Sequence, residues 1–171
     1  MMANRTKTFG IAAATGTIAA GALLAGAGAA QANPSDTNTC QPGQVMAYAE
    51  EVPSDSTQHA NYVVSFKTTE PGTQCLLTGT PKDLTFHDAS GAELPVDSYS
   101  TGSENTQVLI DSTHPAQVEV QAPNPQEQGE PATTASFTMS NSTDGVPFSI
   151  AWKADLNGPV EIGSLTGGVV S

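Results

Sequence analysis

CLLTGTPKDLTFHDASGAELPV, residues Cys75 to Val96, passes from a cysteine through a Gly and Pro turn into a strand, a tight turn and a returning strand. Leu84 and Phe86 point one way and Thr85 and His87 the other, the period-two alternation of a half-buried strand. Asp88-Ala89-Ser90-Gly91 brings turn chemistry, with Gly91 free to take the positive φ that a tight loop needs. Leu94 and Val96 resume the apolar face, so the stretch reads as a β-hairpin.

The same alternation extends outward in both directions. Upstream, Gln44 to Glu50 forms a strand with Met46 and Tyr48 on one face, ended by Glu50, Glu51 and Pro53, residues that discourage further pairing at an edge. Ala60 to Thr68 sets Tyr62, Val64 and Phe66 against Val63, Ser65 and Lys67, and Glu70-Pro71-Gly72 turns the chain toward Cys75. Downstream come Thr106 to Asp111 and Ala116 to Gln121, the second with Val118 and Val120 inward. Residues 123–132, PNPQEQGEPA, hold three prolines and read as an extended surface loop. Ala135 to Ser140, a turn at Asp144-Gly145, Phe148 to Ala154 and the pair Val160 and Ile162 complete the pattern. Trp152, the single tryptophan, falls on the inward face of its strand and reads as core. About nine short strands without helical periodicity imply an all-β antiparallel sandwich.

The first 32 residues read as a cleavable export signal. Arg5 and Lys7 precede a Gly, Ala and Leu run from Phe9 to Ala30, and Ala30-Gln31-Ala32 fits the small-x-small cleavage pattern, which places the cut after Ala32. An uncleaved membrane anchor is the alternative, since the run approaches the length of a span. A polar lead, 33–43, then joins the sandwich domain, 44–171. Cys40 is the only other cysteine, and two cysteines in an oxidising compartment with no competing metal or redox motif imply one disulfide to Cys75. Closing that loop is worth ~4 kcal/mol on the chain-entropy model.

Of 171 residues, 17 are acidic and 5 basic, a net charge of −12. All the acids follow residue 32, where Lys67, Lys82 and Lys153 are the only bases. Such a chain repels phosphate backbones and anionic envelope polymers, so no nucleic-acid or direct membrane partner is expected after signal cleavage. A soluble monomer with an extracellular partner of unknown identity is the expected form.

Catalytic patterns are missing. His59, His87 and His114 share no metal-ligand spacing, and no HExxH, Gly-x-Ser-x-Gly elbow or phosphate-cradling loop occurs. Asp88 to Glu93 lacks the alternating carboxylates of a calcium loop. No metal, cofactor or enzymatic activity is expected. Asn141-Ser142-Thr143 is a formal glycosylation acceptor.

Cys75-Leu76-Leu77-Thr78-Gly79-Thr80-Pro81, with an apolar strand and an Asp…Gly turn behind it, resembles a family of secreted actinobacterial domains of unknown function. In that family a cysteine near the mature N-terminus, matched by Cys40, precedes a Cys-x-Leu-x-Gly-x-Pro segment. The resemblance implies an immunoglobulin-like sandwich, a Cys40–Cys75 bond, and Leu77, Gly79 and Pro81 as the turn into the next strand. The family's Pro-Gly stretch before a later strand is present only as His114-Pro115-Ala116. The resemblance brings no activity.

These readings lead to a secreted, non-catalytic binding or envelope-associated module. A small protease inhibitor presenting the 123–132 loop is the alternative, and a carboxylate-dependent hydrolase stands behind both.

Overall fold

The computed structural model describes residues 38–41, 43–124, 129–139 and 147–168, all within one unit, Asn33–Ser171. The expected export signal with Ala30 and Ala32, most of the polar lead before Asn38, residues 125–128 of the proline-rich loop, Asn141 and the Asp144-Gly145 turn lie outside the described residues.

Ten strands and no helix make up the described residues: β1 (Val45–Val52), β2 (His59–Thr68), β3 (Cys75–Thr78), β4 (Pro81–His87), β5 (Ser98–Ser100), β6 (Gln107–Ile110), β7 (Ala116–Pro123), β8 (Glu130–Met139), β9 (Phe148–Leu156) and β10 (Val160–Gly167). One sheet runs β1-β2-β7-β10-β5, a second β4-β8-β9, and a two-stranded sheet pairs β3 with β6. All pairings between strands are antiparallel except β5 with β10.

Alternation explains why the two larger sheets stack. Tyr62, Val64 and Phe66 of β2, Val118 and Val120 of β7, and Val160 and Ile162 of β10 are buried, as are Leu84 and Phe86 of β4, Phe137 of β8, and Ile150 and Trp152 of β9. Rings meet across the interior: Tyr62 lies 4.8 Å from Trp152, and Phe66 meets Phe137 edge-on at 5.9 Å. Each fully buried large apolar side chain contributes ~1.5–3 kcal/mol against exposure. A sandwich-like arrangement is the way two half-apolar sheets hide those faces from water.

The small sheet holds the disulfide. Cys40 and Cys75 are bonded across 35 residues of sequence, with Cα atoms 4.8 Å apart. Residues 38–40 run parallel to β3: Thr39 bridges Leu76, the Cys40 amide donates to the Leu76 carbonyl at 3.0 Å, and the Leu76 amide donates to the Asn38 carbonyl at 3.0 Å. Leu77 is buried on the inner side of β3. Gly79 then takes φ 86° while its amide donates to the Thr106 carbonyl at 2.8 Å, a left-handed conformation that glycine adopts without penalty. Pro81, which has no amide to offer, opens β4.

Four expectations are corrected. Leu94 to Val96 is no returning strand. Asp88 Oδ1 accepts the Ser90 and Ala92 amides at 2.8 and 2.9 Å, and the return pairs with β4 only through the His87–Glu93 bridge and the Leu94 amide on the Phe86 carbonyl. Pro95 has no donor to continue the ladder. The chain instead crosses to β5, beside β10 in the other sheet, which breaks the wholly antiparallel expectation. The 123–132 loop is shorter than its prolines suggest, because Pro123 ends β7 and Glu130 begins β8. β1 continues through Glu50 and Glu51 to Val52.

The open side and its groove

Carboxylates and imidazoles come first, since chemistry would need them. His59 lies on β2, His87 on β4 and His114 in the turn between β6 and β7, and among the described residues no three His, Cys, Asp or Glu side chains gather as a metal site. Asp111, Thr113 and His114 do cluster. Asp111 Oδ1 accepts the Thr113 amide at 2.6 Å, the Thr113 hydroxyl at 2.8 Å and the His114 amide at 2.6 Å, while Oδ2 lies 2.9 Å from His114 Nδ1. The His114 ring foremost, then the Thr113 amide and hydroxyl, hold the Asp111 carboxyl well below the usual range. Thr113 Oγ1 approaches the same Nδ1, at 3.1 Å. A relay needs carboxylate and hydroxyl on opposite ring nitrogens, so this cluster pins the β6–β7 turn and moves no proton between partners.

The outer face of the five-stranded sheet is largely polar and paired with itself, with Met46 and Tyr48 exposed on β1. Gln121 Nε2 donates to Asn61 Oδ1 at 3.0 Å and Gln117 Nε2 to Ser65 Oγ at 3.3 Å. Glu161 accepts from the Tyr99 hydroxyl and from Thr101 Oγ1, each at 3.1 Å. A shallow hollow of about 330 Å³ runs between Asn61, Glu119, Gln121 and Glu161. The Glu161 hydrogen bond, followed by desolvation and the Glu161 charge, raises the Tyr99 hydroxyl above its ordinary value.

The two flanks of the molecule differ more than its faces. On one flank the edges β4 and β5 are closed. β5 has three residues, β4 bulges between Lys82 and Thr85 with Asp83 at φ 53°, and the β4 carbonyls of Leu84 and Phe86 are taken by the Ser98 hydroxyl at 2.7 Å and the Leu94 amide at 2.8 Å. Short strands, bulges and covering loops are how an edge is kept from pairing further.

On the other flank β1 and β9 leave a groove of about 350 Å³ lined by Ala47 to Glu51, Tyr62 and Ser149 to Ala154, and it continues past Glu51, Lys153 and Asp155. Trp152 forms part of its lining. The inward side chains of β1 here are Ala47 and Ala49, too small to fill the space above the indole. Trp152 Nε1 is the one buried side-chain polar atom without a hydrogen-bond partner among the described residues, a cost that native interiors seldom carry. Burial, then the charges of Glu51 and Asp155, push the Tyr62 hydroxyl above its ordinary value, so the acidic end of the groove acts on its wall. β9 is kinked, since Trp152 and Lys153 together face Thr133. β1 keeps an unbroken eight-residue register with β2, and among the described residues no hydrogen bond reaches its outer edge.

Of the residues singled out from sequence, Cys40, Cys75, Leu77, Gly79 and Pro81 lie together around the small sheet and serve architecture. Trp152 is core, as its alternation predicts, and it also lines the groove, which nothing local in the sequence signals. Glu50 and Glu51 continue β1 rather than end it, and they form the acidic rim. Comparison of the chain with family models, with curated proteins and with solved structures finds no match.

Proposed function

We propose that this is a secreted, non-catalytic binding module of immunoglobulin-like architecture that engages an extracellular or envelope partner along its β1/β9 flank. The observation that carries the reading is the juxtaposition of an unbroken strand edge, free of hydrogen bonds from the described residues, with a groove lined in part by Trp152. The basic and apolar leader followed by Ala30-Gln31-Ala32, and the disulfide between Cys40 and Cys75, support export to an oxidising compartment. The acidic balance of residues 33–171 supports solubility there.

A photo-crosslinking amino acid in place of Tyr48, on β1, tests the reading against the same group in place of Leu109, on β6; both side chains are exposed. With the full chain expressed in an exporting host, we expect a discrete crosslinked species from position 48 in the secreted and envelope fractions and none from 109. Equal yields from both positions, or none from 48, overturn it.

A further inference from the structure

Resting on that reading, we propose that the occupant of the groove is a cationic extended segment of a partner protein, which adds to the free edge of β1 as a sixth strand and lays alternate apolar side chains over Trp152. Backbone pairing supplies affinity in such additions, and pockets for alternate side chains supply selectivity.

Three independent features converge on this occupant. Among the described residues β1 is the long edge without bulge or hydrogen-bonded neighbour on its outer side, whereas β4, β5 and β9 are each bulged or short. Its inward Ala47 and Ala49 leave depth that side chains on every second residue of an added strand would fill. The rim carries Glu50, Glu51 and Asp155 against Lys153, with Lys67 set over the Tyr48 ring, so its balance is acidic and attracts basic rungs. The same charges disfavour a second copy of this acidic chain: antiparallel self-pairing of β1 sets two glutamates from each strand into one small ladder.

The test uses the full chain as secreted and a fluorescein-labelled nonapeptide alternating Lys and Val, beside its Glu–Val counterpart and a Lys–Val peptide N-methylated at its central residues. We expect saturable binding of the Lys–Val peptide alone, slowed amide exchange at Ala47 to Glu51, and a shift in the emission of the single tryptophan. Glu50→Gln with Glu51→Gln should weaken binding by about tenfold, while Glu93→Gln with Asp97→Asn, the same charge change on the closed flank, should leave it unaltered. All four positions are outside the buried core, and a thermal melt checks that the variants fold. Equal binding of the Glu–Val or the N-methylated peptide, or equal loss in both double variants, overturns the occupant. So does dimerisation through β1 in sedimentation. Crosslinks from position 48 without Lys–Val binding reject the occupant and leave the binding module standing; absence of both rejects the two together.

Discussion

The rings of Tyr62 and Trp152 lie 4.8 Å apart and tilted by 47°, joining β2 of one sheet to β9 of the other directly beneath the open flank. Phe86 meets the same indole from β4 at 5.0 Å. One side chain thus locks both sheets and floors the groove.

Trp152→Ala should therefore cost about 3–5 kcal/mol, the range for emptying a large aromatic site in a core. Trp152→Phe should cost less and should also remove the unpartnered N–H. Urea unfolding followed by circular dichroism measures both, and a cost below about 1 kcal/mol for the alanine variant contradicts the placement of the ring in the core.

Cys40→Ala with Cys75→Ala should lower stability by about 2–5 kcal/mol. The loss should fall first on residues 38–40 and β3, where the bond fastens a parallel flank onto a four-residue strand. Amide exchange should show early opening at Leu76. An unfolding midpoint equal to that of the oxidised protein contradicts this.

Gly102→Ala should destabilise by about 1–3 kcal/mol, because a β-carbon there meets the Gly163 carbonyl and the Thr80 methyl group. Thr80 is itself buried, with its hydroxyl 3.1 Å from that of Ser100, so it has little room to withdraw. Gly91→Ala, in open space but at φ 83°, tests conformation without crowding, and its cost should be the smaller of the two.

Asp111 gives the protein an acid dependence of known sign. Its folded-state value lies below the unfolded one, so its contribution is complete above the ordinary carboxylate range and is lost as pH falls through the depressed folded value. Asp111→Asn should lower the melting temperature near neutral pH and flatten the fall of stability in acid. Parallel melting curves for the two proteins at every pH contradict that assignment.

Much of this architecture was written in local pattern. Tyr62, Val64 and Phe66, or Val118 and Val120, point inward because a strand has period two and only one face is apolar, and no distant residue alters that. Pairing is another matter. Leu94 and Val96 have the right alternation for a returning strand, yet Asp88 consumes the loop amides and Pro95 withholds one, and the partner that β5 finds on β10 is about sixty residues further on. Pro131 misled in the opposite sense. It sits in the middle strand of its sheet, but β4 reaches only to Thr134, so at Pro131 the strand has a neighbour on one side alone, the edge-like position in which proline is tolerated. The groove was beyond local reading, since β1 and β9 come from opposite ends of the domain and become neighbours only when the sheets stack.

The closure of the opposite flank limits what can be built from this molecule. With β5 three residues long and the β4 carbonyls already satisfied by Ser98 and Leu94, a strand accepted at β1 has no counterpart across the sandwich to continue the sheet. Stacking of whole copies edge to edge would need a receptive strand on both flanks, and the closed β4/β5 flank withholds the second one, which guards the folded molecule against being threaded into a fibre.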